Sequence, residues 1–412
     1  MRYIPRNLTD RLKGLAEHFP AVIVTGARQV GKSTLLHHVF GDCADMVVFD
    51  PILDVENARQ DPELFLDNHR LPLILDEIQY APQLIPAVKR RIDKHQRNGL
   101  FLISGSQQWE VMKSISESLA GRCAFLDLRG FSLHEICSNN VSPHWLQVWL
   151  NNPDDFIAKE KQRLDMPVPL FEQLWKGFMP RTHFMENEFI ADYFEAYQRT
   201  YIERDVRQML NVSDVRLFAR FIGLLGALTA QEINYSQLGR DLGLNPQTAK
   251  NWLNTIAGSF QWCELPPFSM NPVKRVSGKP KGYLTDTGYA CWLLAISSPR
   301  SLSSSPMLGA IFESAGVVEI IKQVSLFKFK PKMYHWRAYS GGEIDLILEY
   351  DGTYFPIEFK ANSQPSRRAT TGISSFRKQY PNLNIAPGLV VAPTDAFRKI
   401  SENDYAIPWD TV

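Results

Sequence analysis

Hydrophobic positions in the first third of the chain fall in short continuous runs: AVIVT (21–25), MVVF (46–49), LPLIL (71–75), LFLI (100–103) and AFLDL (124–128). Most of the stretches between them are long enough for a crossover helix. Unbroken apolar runs are the signature of parallel strands covered on both faces, so residues 1–135 are expected to form a doubly wound α/β domain. Beyond that point the texture changes. Residues 136–225 read mostly as helix between Asn-rich loops. Residues 226–296 contain two short amphipathic helices followed by a basic Gly/Pro stretch. The run SSPRSLSSSP (297–306) reads as a linker, because Ser and Pro offer little to bury. In residues 307–412 a helix-period segment leads into period-2 strands.

Length and composition then narrow the class. At roughly 150 residues per domain, 412 residues suggest about three domains. A hydrophobic fraction of 44% with 22% charged residues suits a folded protein and excludes global disorder. Forty-five basic against 44 acidic side chains leave a net charge of +1, so any nucleic-acid surface must be a local patch. Five cysteines without C-x-x-C spacing argue against a disulfide framework or structural zinc, and point to a reducing cytoplasm. The charged N-terminus is unlike a signal peptide, and no apolar run approaches the length of a membrane span.

Chemistry enters at Gly26-Ala27-Arg28-Gln29-Val30-Gly31-Lys32-Ser33, followed by Thr34. The pattern G-x-x-x-x-G-K-[ST] follows an apolar strand and opens a helix, the context a phosphate-binding loop requires. Its glycines let backbone N–H groups close around phosphate, Lys32 reaches the β and γ phosphates, and Ser33 holds Mg²⁺. The run LPLIL ends in Asp76-Glu77, which assigns Asp76 to the metal side and Glu77 to the general base. Ser104, at the end of LFLIS, suits a sensor of the γ-phosphate.

TGARQVGKSTLL (25–36), ILDEIQYAP (74–82), LISGSQQW (102–109) and SLAGR (118–122) together resemble a family of prokaryotic AAA-type ATPases whose C-terminal domain is nuclease-like and often called a domain of unknown function. The resemblance covers nearly the whole chain. It implies ATP with Mg²⁺ as cofactors, a helical lid, and a homo-oligomer of the hexameric-ring kind, with ATP sites at subunit boundaries. It also makes Arg122 the candidate for the γ-phosphate arginine, in cis or from a neighbouring subunit, with Arg204 a poorer one.

Two further constellations stand out. Leu238 and Leu242 share a helical face, Gly243-Leu244 turns the chain, and Asn245-Pro246 starts a second helix whose buried stripe is Ala249, Trp252 and Leu253. This winged-helix-like module turns Gln247, Thr248, Lys250 and Asn251 outward, with Lys274, Arg275, Lys279 and Lys281 extending the patch as a wing toward DNA. Packing or subunit contact is the alternative use.

EIDLILEYDGTYFPIEFKA (343–361) reads as two alternating strands around an Asp351-Gly352 turn. If Tyr350 faces Thr353, Asp345 faces Glu358, and Lys360 lies on the same face. Opposed carboxylates repel unless a cation intervenes. This arrangement resembles the PD-(D/E)XK nuclease superfamily, which implies a divalent ion, Mg²⁺ or Mn²⁺, on Asp345 and Glu358 with Glu313 as an additional acid and Lys360 beside the scissile phosphate. An edge-strand charge ladder is the alternative. The expected protein is thus a cytoplasmic ATP hydrolase that binds or remodels DNA, with a terminal nuclease-like domain that binds DNA or cleaves it using a divalent metal; a nucleotide-dependent regulatory switch that binds partners without cleavage is the second reading.

Overall fold

The computed structural model describes residues 3–411 apart from 51–54, 106–114, 116, 139–143, 203–214 and 339–340, and leaves the side chains of 201, 202, 215 and 274 undescribed. The chain divides into two compact units.

The first unit is Pro5–Gly130 with Thr255–Phe260. Its five strands are β1 (Ala21–Thr25), β2 (Asp45–Val48), β3 (Leu73–Asp76), β4 (Phe101–Gly105) and β5 (Cys123–Asp127), paired in the order β2-β3-β4-β1-β5. All neighbours are parallel. β1, β3 and β4 are buried along their whole length, which is why their sequences run apolar without alternation. Ile23, Leu75 and Ile103 share a core with Leu84, Val88 and Ile92 of helix Leu84–His95. Each such side chain withdrawn from water contributes about 1.5–3 kcal/mol. The order has a functional consequence. β4 lies between β3 and β1, so the C-terminal ends of these three strands open side by side at one edge of the sheet.

The second unit comprises Met1–Ile4, Phe131–Asn254 and Gln261–Val412. Its middle is helical, including Trp145–Asn151, Leu170–Lys176 and Ile190–Tyr197. Helix Tyr235–Leu242 and the first part of Pro246–Gly258 lie in the chain between β6 (Gln231–Glu232) and β7 (Trp262–Leu265), two strands that pair on either side of β8 (Lys281–Leu284) in a small antiparallel sheet. The terminal mixed sheet contains β9 (Lys332–Arg337), β10 (Glu343–Tyr350), β11 (Thr353–Phe359), β12 (Asn384–Ile385), β13 (Gly388–Ala392), β14 (Arg398–Lys399) and β15 (Asp404–Pro408). Its order is β14-β15-β13-β11-β10-β9, with β12 also on β11. Asp351 and Gly352 both have positive φ (46° and 72°), as a two-residue primed hairpin turn demands. The β10–β11 ladder pairs Tyr350 with Thr353 and continues to Leu346 opposite Ile357.

Three expectations differ from this architecture. The segment 297–306 is not a free linker: Pro299–Ser303 is a helix, capped reciprocally by Ser298 and Ser301, with Leu302 fully buried. One leucine and two serine caps suffice where a neighbouring helix, Leu170–Lys176, supplies the wall. Within the basic stretch read as a wing, Pro272–Ser277 forms a helix. Finally, β10 does not alternate, being buried from Ile344 through Leu348. Helices cover both sides of the hairpin: Gly316 of helix Leu308–Val324 lies so close to the Phe359 ring that a Cβ there would sit 2.2 Å from it, while Ile373 and Phe376 of helix Thr371–Gln379 pack on Ile344 and Ile347. Among the described residues no helix is long and apolar enough to cross a membrane.

Candidate functional site

The loop leaving β1 is built around backbone that only glycine tolerates. Gly26 has φ +151°, and a Cβ there would lie 2.1 Å from the Leu128 carbonyl oxygen. Gly31 has φ +95° and leads directly into helix Lys32–Phe40. No side chain caps that helix, so its first N–H groups are not taken by a capping side chain, as an anion site at a helix N-terminus requires. Lys32 is buried, and its ammonium donates to the carbonyls of Gly26 (3.1 Å) and Ala27 (2.9 Å), closing over the loop that phosphates would enter. Val30 is buried, Arg28 and Gln29 are half-buried, and Ser33 and Thr34 lie on the first helical turn.

The adjoining strand ends complete this edge. Asp76 and Ser104 are both buried, and the Ser104 hydroxyl donates to Asp76 Oδ1. The same hydroxyl oxygen accepts the Glu77 backbone N–H at 3.3 Å. Glu77 adopts a left-handed backbone (φ 57°), and its carboxylate accepts a hydrogen bond from the Gln79 side chain. Ser104 therefore ties the Asp76 carboxylate to the backbone of Glu77. One carboxylate and one hydroxyl suit Mg²⁺, which takes few protein ligands and completes its shell with phosphate and water; Asp76 and Ser33 would hold it here.

In the helix pair, Ala249, Trp252 and Leu253 are buried, whereas Gln247, Lys250 and Asn251 are exposed and Thr248 is half-exposed. Asn245 caps the second helix by accepting from Gln247 N at 2.7 Å. Gln247 and Asn251 bond to each other at 2.9 Å, and Lys250 stands over the Tyr235 ring.

A dense cluster of charge lies at the β10–β11 hairpin. Lys281 of β8 is buried and bridges two acids: its Nζ is 2.9 Å from Asp345 Oδ1 and 2.5 Å from Glu313 Oε1. Tyr283, two residues along β8, donates to the same Glu313 oxygen at 2.9 Å. Asp345 Oδ2 accepts the Phe359 N–H at 3.0 Å and lies 3.7 Å from Lys360, which bonds Glu358 at 2.8 Å. Burial raises the Asp345 carboxyl, but Lys281, Lys360 and the Phe359 N–H outweigh it and hold its pKa below the ordinary value. Burial and the Asp345 charge push Glu313 up to about 8 and Glu358 well above its ordinary value.

Comparison with known proteins agrees with the first unit. Residues 18–137 match the family described as AAA domain, residues 169–300 the domain of unknown function DUF8612, and residues 308–412 the domain of unknown function DUF4143. The chain joins an AAA P-loop ATPase domain to a DUF4143 domain. It is similar to the uncharacterized protein Rv2008c of Mycobacterium tuberculosis, at 28% identity over 99% of this chain and 84% of the relative, and equally to a protein of Mycobacterium bovis. Among solved structures it is similar to the Walker-type ATPase of Pyrococcus abyssi (12% identity, 71% of this chain and 96% of that one, TM-score 0.45). It is also similar to the Thermotoga maritima RuvB Holliday junction branch migration motor (13%, 64% and 90%, TM-score 0.32).

Several sequence assignments change. Arg122 of the AAA domain precedes β5, and its carbonyl accepts Ala21 N at 3.1 Å, so it sits at the N-terminal edge of the sheet. The phosphate loop is at the opposite edge, about five residues or ~16 Å along β1. Arg122 instead pairs with Asp93 at 2.6 Å, which rules out the cis role. Arg204 lies outside the described residues, as does the side chain of Lys274.

Arg275 is not a wing residue. Its guanidinium lies over the Phe268 and Tyr334 rings, bonds Tyr334 at 3.2 Å and approaches Glu349 at 3.6 Å. Lys281 likewise turns inward, while Lys279 remains exposed. The divalent ion expected on Asp345, Glu358 and Glu313 is not supported, because ammonium groups already bridge these oxygens. No group of three or more His, Cys, Asp and Glu among the described residues is arranged to hold a metal.

Sequence reading missed Arg6, whose buried guanidinium donates to Val30 O at 2.7 Å and Arg129 O at 2.6 Å. It also missed Gln79 and Tyr283. Only Tyr283 left a trace, sharing a strand face with Lys281.

Proposed function

We propose that the chain hydrolyses ATP with Mg²⁺ and couples turnover to contact with DNA. The observation that carries this reading is the shared edge of the AAA domain. Lys32 closes the phosphate loop, and Ser104 links Asp76 to the backbone that aims Glu77. Lys32 engages the β and γ phosphates, Asp76 and Ser33 hold Mg²⁺, and Glu77 accepts the proton of the attacking water. Asp76 and Glu77 are held in place through Ser104 and Gln79, so positioning and charge supply the catalysis.

DNA contact falls to the winged-helix-like module, where exposed Gln247, Lys250 and Asn251 and half-exposed Thr248 offer amide, hydroxyl and ammonium groups, and Lys279 adds a further charge. The DUF4143 domain keeps the PD-(D/E)XK arrangement of Asp345, Glu358 and Lys360 as a binding scaffold. The protein works in the cytoplasm as a homo-oligomer, a ring in which Arg122 reaches a neighbour's ATP. ATPase assays with single-stranded, duplex and branched DNA test the reading: turnover should rise several-fold with one DNA form and vanish in Glu77→Gln. Turnover indifferent to every DNA form would favour the regulatory switch, a reading helped by the ion-paired state of the DUF4143 cluster.

A further inference from the structure

We infer that Lys281 is the resident cation of the terminal carboxylate cluster: its ammonium takes the seat between Asp345 and Glu313 that a divalent ion would need, so that the cluster fastens β8 to the hairpin domain instead of binding metal. The inference is independent of the ATP and DNA readings. Divalent ions lie about 2.0–2.6 Å from carboxylate oxygens. Lys281 Nζ, at 2.5 and 2.9 Å from Glu313 Oε1 and Asp345 Oδ1, fills that seat.

Three further contacts tie up the cluster. Asp345 Oδ2 accepts the Phe359 N–H, Glu358 Oε2 accepts from Lys360, and Glu313 Oε1 also accepts from Tyr283. Nor is Lys281 a surface side chain that has wandered in, since it is 8% exposed and its strand is tethered on both sides. β8 pairs with β7, and the continuation of β7 pairs with β9, where His335 N donates to Pro266 O at 3.0 Å and Phe268 N to His335 O at 2.6 Å. The His335 ring also bonds Lys279 O at 3.0 Å, two residues before Lys281. Lys281 and Tyr283 alternate onto one face of β8, so a single strand delivers both partners of Glu313. A lysine held this way closes the seat permanently and couples the helix-pair module to the terminal sheet.

The test uses the full-length chain without nucleotide and Mn²⁺ as probe, read by calorimetry and thermal unfolding. Wild type and Asp345→Asn should show the same Mn²⁺ response, because nothing in the native cluster depends on metal. Lys281→Met should lower Tm by about 5 °C or more. Mn²⁺ should recover at least half of that loss, and adding Asp345→Asn should abolish the recovery. Wild-type Mn²⁺ binding that disappears in Asp345→Asn overturns the inference. So does a Lys281→Met protein that folds with wild-type Tm or gains no Mn²⁺ stabilisation. If Lys281→Met does not fold, the comparison of wild type with Asp345→Asn still decides.

Discussion

The Arg6 guanidinium donates to the Val30 carbonyl at 2.7 Å, so a side chain 24 residues upstream holds the second half of the phosphate-binding loop. Its other arm takes the Arg129 carbonyl at 2.6 Å, bracing the loop against the chain that follows β5. Replacing it with Arg6→Met leaves the buried Val30 carbonyl and the part-buried Arg129 carbonyl without this donor, and charged hydrogen bonds of this kind contribute ~1.5–3 kcal/mol each. The variant should bind ATP about tenfold more weakly and unfold at lower denaturant, while Arg6→Lys restores little because one ammonium cannot span both carbonyls. Fluorescent-nucleotide titration measures the first effect. A folded Arg6→Met with native affinity would show the brace to be irrelevant to the loop.

At the strand ends the roles separate by variant. Lys32→Ala removes the charge that meets the phosphates and should abolish tight ATP binding. Glu77→Gln should keep binding and lower hydrolysis by about 100-fold or more, the scale of lost general-base catalysis. Gln79→Ala should cost less, because Glu77 stays in place but loses the amide that orients it. Phosphate release measured against nucleotide binding distinguishes them, and hydrolysis undiminished in Glu77→Gln removes it as the base.

Arg122 lies at the wrong edge of its own sheet to act on its own ATP, so any catalytic role must be played on a neighbouring subunit. Arg122→Ala and Lys32→Ala should each be inactive, and mixing the two should restore part of the turnover, since an intact Arg122 from one chain then faces an intact Lys32 from the other. Mixtures that stay inactive, or an Arg122→Ala protein with normal turnover, exclude the trans role. The exposed ion pair with Asp93 contributes at most about 1 kcal/mol, so stability should hardly change.

What the sequence disclosed was whatever depends on local spacing. The five strand runs, the loop Gly26–Ser33 and the hairpin register around Asp351-Gly352 are each written in a few consecutive residues, and each lies where its spacing places it. Contacts between distant segments left no such mark. Arg6 and Val30, or Lys281 and Asp345, meet because a chain path closes, and no periodicity reports that closure. Basic residues mislead for the same reason: Lys279, Lys281 and Arg275 look alike in a glycine- and proline-containing stretch, yet one faces water and two are paired inward. The Ser/Pro segment resembles a linker because capping hydroxyls share linker composition, and only the burial of Leu302 distinguishes the helix.

That division gives a prediction about DNA. Lys250→Ala and Lys279→Ala remove exposed ammonium groups and should each lower the salt slope of DNA binding by about one, weakening all sequences alike. Arg275→Ala should instead lower stability, through lost packing on Phe268 and Tyr334, with the salt slope unchanged. Binding titrations at several salt concentrations read both. A slope unchanged in the Lys250→Ala, Lys279→Ala double variant assigns the exposed helix face to packing or subunit contact.

His134 and His144 are expected to set the acid limit of the second unit. Their rings meet edge to face at 4.0 Å, both are buried, and neither His134 nitrogen nor His144 Nδ1 has a hydrogen-bond partner. Burial lowers the pKa of His134 to about 4 against the opposing charge of Glu135. Burial, then the neighbouring His134, lowers His144 to about 4, against Glu319 and Glu135. Between pH 6.5, the ordinary value, and pH 4 the unfolded chain therefore binds more protons than the folded one, so stability falls as pH drops through this window. At about 1.4 kcal/mol per unit, the loss is of order 3 kcal/mol for each histidine by pH 4. Glu313 acts with the opposite sign: raised to about 8 from 4.5, it favours the folded state at low pH and loses that contribution as pH rises through 8. The difference between wild type and His144→Phe isolates the histidine contribution, because Glu313 is common to both. The two proteins should unfold at similar temperatures at pH 7.5, and the variant should be the more stable by several degrees at pH 4.5. Parallel loss of stability in both across that range would mean that the pair does not set the acid limit.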